Sequence, residues 1–126
     1  MRAFGNGCLT ATSMPHAPKV LVCGSRNWYD TDAISSRLSQ LHKSTIIIHG
    51  AARGADTIAR AYAIRFGLRQ VAVPAKWEEH GRSAGPIRNQ EMIDHGKPDG
   101  VVAFPGGRGT ADMVAKAEAA GLKVWF

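Results

Sequence analysis

Arg26, Arg53 and Arg108 stand in three loops of one chemistry: "GSRNWYD" (24–30), "GAARGAD" (50–56) and "PGGRGT" (105–110). Each loop follows a short apolar run and precedes a helix-like run. Glycine there lets backbone N–H groups approach an anion without a Cβ in the way, and it admits the φ > 0 conformations that turn successive amides inward. A helix starting just beyond adds a partial positive charge at its N-terminus. Arginine supplies a planar, permanently charged fork that fits phosphate or carboxylate. Together these residue types describe an anion cradle. Taken singly, each loop also reads as a tight turn with its arginine in solvent; the repetition favours a shared pocket.

The elements that must position these loops follow from hydrophobic patterning. Five apolar runs, at 19–23, 44–49, 70–73, 100–104 and 123–126, read as strands buried on both faces of a parallel sheet. Four helix-like segments alternate with them, which makes the class α/β. Thr31 or Asp32 is expected to cap the first helix, with Ile34, Leu38 and Leu41 as its stripe. Asp56 is expected to cap the second, with Ala59, Tyr62, Ala63 and Phe66 inward and Gly67 as its stop. Pro86 suits the first turn of the third, and Thr110 is expected to cap the fourth, with Met113, Val114, Ala117 and Ala120 inward and Gly121 closing it. In a strand order of 3-2-1-4-5, the three loops flank one crevice at the carboxyl edge, at the switch point where ligands bind. The connection 74–85 is long enough to act as a lid.

Composition bounds the reading. The 126 residues suit one domain, 19–126, preceded by a flexible extension over 1–18 that lacks the apolar block of a secretory signal. No apolar run reaches the ~20 residues that span a bilayer. Cys8 and Cys23 have no ligand-like spacing, and the remaining histidines show no metal pattern, so no metal or cofactor is expected and a reducing cytoplasm is the default. The formal net charge of +6 favours anionic partners. Neither GxxxxGK[ST] nor a GxGxxG after the first strand is present, which disfavours Walker-type NTPases and dinucleotide dehydrogenases.

Other residues carry two readings each. Asp56 contacts a ribose hydroxyl, orders Arg53 or simply caps its helix. Trp77 stacks on a base or covers the core edge. Glu78 and Glu79 are general acids if the lid closes, or solvated carboxylates. Ser25 and Asn89 offer hydrogen bonds to a phosphate or sugar, with no base beside them in sequence. His49, at a strand end, is expected to be structural.

The stretches "GSR…D" (24–30), "HGAARGAD" (49–56), "W…H…AGPIRNQEMI" (77–93) and "FPGGRGT" (104–110) resemble the YspA-type, cpYpsA-related branch of the SLOG superfamily, over about residues 19–126. The resemblance implies a Rossmann-like three-layer sandwich and a nucleotide or nucleotide-derived ligand. Related groups are the LOG phosphoribohydrolases, which cleave the N-glycosidic bond of nucleoside monophosphates, and the DNA-binding DprA proteins. Against the LOG motif PGGxGTxxE, Pro105, Gly106, Gly107, Gly109 and Thr110 match, and Arg88 resembles the upstream arginine. Met113 occupies the catalytic glutamate position and cannot act as acid, base or cation stabiliser. Asp112 is one residue earlier, turned by about 100° on a helix.

The expected ligand-binding set is therefore Gly24, Ser25, Arg26, Gly50, Arg53, Asp56, Trp77, Arg88, Asn89, Pro105, Gly106, Gly107, Arg108, Gly109 and Thr110. The catalytic role, if there is one, falls to Asp112, Glu78, Glu79 or Arg88. The leading expectation is a small phosphorylated, nucleotide-type ligand. An N-glycosidic hydrolase and a single-stranded nucleic-acid binder stay open as alternatives, the second ranked lower on an aromatic content of 7%. A homo-oligomer also stays open.

Overall fold

The computed structural model describes residues 18–126; the extension expected over 1–18 lies outside them apart from Pro18. Five strands, β1 (Lys19–Cys23), β2 (Ile46–His49), β3 (Arg69–Ala72), β4 (Gly100–Ala103) and β5 (Lys123–Trp125), form one sheet in the order β3-β2-β1-β4-β5. Every neighbouring pair is parallel, with Leu21 of β1 opposite Ile48 of β2 and Val101 of β4. The helices are α1 (Thr31–Leu38), α2 (Ala55–Phe66), α3 (Trp77–His80), α4 (Ala84–Asp94) and α5 (Arg108–Ala119), with a 3-10 turn at Gly81–Ser83.

Alternation along β1 builds the two cores. Val20 and Val22 pack with Ile34, Leu38, Ala59 and Ala63 of α1 and α2 on one face. Leu21 and Cys23 pack with Met92, Ile93, Met113 and Ala117 of α4 and α5 on the other. This is the Rossmann-like three-layer sandwich, with the expected strand order. Among the described residues, no helix is long and apolar enough to cross a membrane.

Several local expectations are corrected. The edge strand β3 is not buried on both faces; Arg69, Val71 and Ala72 are exposed, since among the described strands β3 has a neighbour, β2, on one side only. Asp30, not Thr31 or Asp32, caps α1, its carboxylate accepting from Ala33 N. Asp56 and Thr110 lie inside their helices, whose N-cap residues are Gly54 and Gly107. Phe66, at 56% exposure, turns away from the core and packs beside Tyr62. Ala120 is exposed as well, lying just past the end of α5. The lid segment is not a plain loop: it holds α3 and the 3-10 turn.

Candidate functional site

The loops after β1, β2 and β4 meet because Ser25 ties them together. Its N–H donates to Pro105 O at 2.9 Å, and its carbonyl accepts from Ala55 N at 3.3 Å. Trp28 stacks on Phe104 with ring centroids 5.0 Å apart, pinning the first loop to the end of β4. Gly54 makes the closest approach: its φ is +74°, and a Cβ there would collide with Ser25 O and stand 2.7 Å from Arg26 O. Gly106 is equally confined, since its Cβ would lie 2.9 Å from Ser25 N and clash with Thr110.

Between these loops, the lid and α4 lies a cavity of about 720 Å³. Arg26, Arg53, Arg82, Arg88 and Arg108 all line it. The first helical hydrogen bond of α5 runs from Ala111 N to Gly107 O, so the N–H groups of Arg108, Gly109 and Thr110 have no intrahelical acceptor. A Cβ on Gly107 or Gly109 would meet nothing within 4 Å, so the bare backbone there faces open space. Arg26 lies over the Trp77 ring, 5.4 Å from its centroid, across the mouth. The floor is apolar and sulfur-rich: Val22, Cys23, Met92 and Met113.

Two adjacent residues of α4 hold the walls in register. Arg88 donates from Nη1 to Gly50 O at 2.6 Å and to Val73 O at 3.4 Å, and from Nε to Asn89 Oδ1 at 3.1 Å. Asn89, only 4% exposed, donates to Gly109 O and to Asp112 Oδ2 at 3.1 and 3.0 Å. The β2 loop, the end of β3 and the start of α5 are thus fixed from one dipeptide.

The two acids of the cavity are opposite cases. Burial pushes the Asp56 carboxyl above its ordinary range, against the pull of the Ala52 and Gly50 amides, Arg88 and His49. Its Oδ2 accepts from Gly50 N at 3.0 Å and Ala52 N at 3.4 Å, shaping the β2 loop. At Asp112, partial burial favours the neutral form but is outweighed by hydrogen bonds from Lys116 and Asn89 and by the Lys116 charge, so its carboxyl sits below the ordinary range. Burial also lowers Arg88, with Asp56 supporting its charge and Arg26 opposing it. The Cys23 thiol is pushed up to about 12 by burial, with Asp56 adding to the effect. His49 is fully buried; Ala51 N–H donates to its Nδ1 at 3.0 Å, so Nε2–H is left to donate to Gln70.

Asp56 yields a pH prediction. Folding raises this carboxyl above its unfolded value near 3.8, so the folded chain holds the proton more tightly. Its contribution to stability therefore falls as pH climbs from that value through the raised one. Asp56→Asn keeps an acceptor oxygen for the loop amides and removes the ionisation. Melting temperatures from about pH 4 to about pH 7 should decline less in the variant than in the parent. Parallel curves would show that Asp56 does not carry this dependence.

The cavity brings together Gly24, Ser25, Arg26, Arg53, Asp56, Trp77, Arg88, Asn89, Gly107, Arg108, Gly109, Thr110 and Asp112. Gly50, Pro105 and Gly106 are not part of the lining, and Glu78 and Glu79 are exposed outside it. Gly50 lies between Arg88 and Asp56; its Cβ would be 2.9 Å from Asp56 Oδ2. Sequence reasoning missed Asn27, Ala52 and Arg82, and also the sulfur floor. Arg82 lay in plain view in the lid, next to the α4 start, but without flanking periodicity to orient it. Among the described residues, no three His, Cys, Asp or Glu side chains come together as a metal set.

The model of the YspA, cpYpsA-related SLOG family matches residues 18–80. Gene 61 protein of Mycobacterium phage D29 is 40% identical, over 84% of this chain and 93% of that protein. The solved structure of DNA processing protein A (DprA) from Streptococcus pneumoniae is similar with a TM-score of 0.72 and 22% identity. That similarity covers 85% of this chain but 49% of the DprA chain, and it concerns the fold.

Proposed function

The chain belongs to the YspA, cpYpsA-related SLOG family, and on that premise we propose that it binds a nucleotide or nucleotide-derived ligand by its phosphate. One observation carries the reading: five arginines line a single cavity beside the unpaired first amides of α5, where Gly107 and Gly109 leave the backbone bare. The phosphate sits on Gly107–Thr110 and is neutralised by Arg108 and Arg26. The base lies against Trp77, which lines the cavity and is 49% exposed. Arg88 and Asn89 act mainly as positioning residues, since most of their donors are engaged by the protein.

The same geometry supports binding over turnover. Met113 is 1% exposed and packed in the core, so the carboxylate position of the hydrolase motif is apolar here. Asp112 is paired with Lys116 and held ionised, a poor general acid. Mass spectrometry of small molecules retained by the natively purified protein tests the reading. A phosphorylated nucleoside in stoichiometric amount is the expected result. Parallel incubation with nucleoside 5′-monophosphates should release no free base. Steady release of base and ribose phosphate would make the protein a hydrolase instead.

A further inference from the structure

The cations around the cavity exceed what one phosphate needs. Asp112 is paired with Lys116, and Asp56 offsets Arg88 across the Gly50 peptide, which joins them by two hydrogen bonds. The ion pairs among the described residues, His80–Glu79 and Lys116–Asp112, include none of Arg26, Arg53, Arg82 and Arg108, yet all four line the same space. A phosphate monoester carries only about 1.5–2 negative charges at neutral pH. The four arginines also arrive from different walls. Arg53 follows β2 and Arg108 follows β4, strands that flank β1, so their loops start about 10 Å apart at the usual strand spacing. Arg82 comes from the lid. A volume of about 720 Å³ admits more than one phosphate together with a nucleoside.

We infer that the ligand carries two linked phosphates, one held by Arg108 with the first amides of α5 and the other by Arg53 and Arg82. A nucleoside diphosphate or another pyrophosphate-bearing nucleotide is the class this fits. The inference rests on the anion-binding reading above and deepens it. Inorganic phosphate and inorganic pyrophosphate are the probes, titrated calorimetrically into the full chain at low salt. Pyrophosphate should bind about tenfold or more tightly than phosphate. In the double variant Arg53→Ala/Arg82→Ala, both sites exposed, that preference should vanish, the two anions binding within about threefold of each other. A parent that does not distinguish the two anions, or a double variant that keeps the preference, overturns the inference alone. If the parent binds neither anion, the anion-binding reading itself falls.

Discussion

Gly107→Val is expected to lower affinity for a phosphorylated ligand by about 100-fold or more while the chain stays folded. The φ of Gly107 is −100°, on the side of backbone space that residues with a Cβ adopt, and nothing lies within 4 Å of the position a Cβ would take. The Cβ of the valine therefore has room, and its isopropyl group stands in the hollow where the α5 amides are exposed. Loss of two charge-assisted bonds, each about 1.5–3 kcal/mol, is enough for that effect. Stability should change by less than about 1 kcal/mol, as for exposed positions in general. Calorimetric titration alongside thermal melting separates the two quantities. Undiminished affinity in a folded variant would remove the phosphate from this loop.

Gly54→Ala should act in the opposite way, on the fold rather than on the ligand. At φ +74° and ψ −128° the backbone occupies a region nearly reserved for glycine, which costs another residue about 1–3 kcal/mol. The added methyl also runs into the backbone of Ser25 and Arg26, and overpacking of that kind costs about 1–3 kcal/mol more. A loss of about 3 kcal/mol or more, seen as a fall in Tm of about 10 °C or more, is expected. Gly67 is the internal control. It has the same φ of +74° but nothing within 4 Å, so Gly67→Ala carries the conformational cost alone, about 1 kcal/mol. Equal losses in the two variants would mean that the contact between the β1 and β2 loops is soft.

The sheet was legible because its information is periodic and local. Val20 to Val22, Ile46 to Ile48 and Val101 to Val102 are apolar without interruption, which is what a strand covered on both faces requires. The expected strand order of 3-2-1-4-5, the one in which the three arginine-bearing loops flank one crevice, is the order of the sheet. Helix starts were less legible. Asp56 and Thr110 have the residue types of caps, but each lies past a glycine that takes the capping position, and a shift of two or three residues turns a cap into a first-turn side chain. What Asp56 does instead, drawing in the amides of Gly50 and Ala52, depends on a loop path that no spacing rule encodes. Asn89 shows the same limit: its amide crosses from α4 to Gly109 and Asp112, a contact 20 and 23 residues away in sequence.

Arg88 and Asn89 brace the β2, β3 and β4 connections from α4, and Ser25 ties the β1, β2 and β4 loops, so the frame of the cavity owes little to the lid segment just before α4. Residues 76–83 are almost entirely solvent-facing, with Gly81 at φ +57° as a pivot. This makes the segment an interchangeable cassette. Grafting a different sequence between Pro74 and Ala84 is expected to alter what the cavity admits, leaving the scaffold beneath intact.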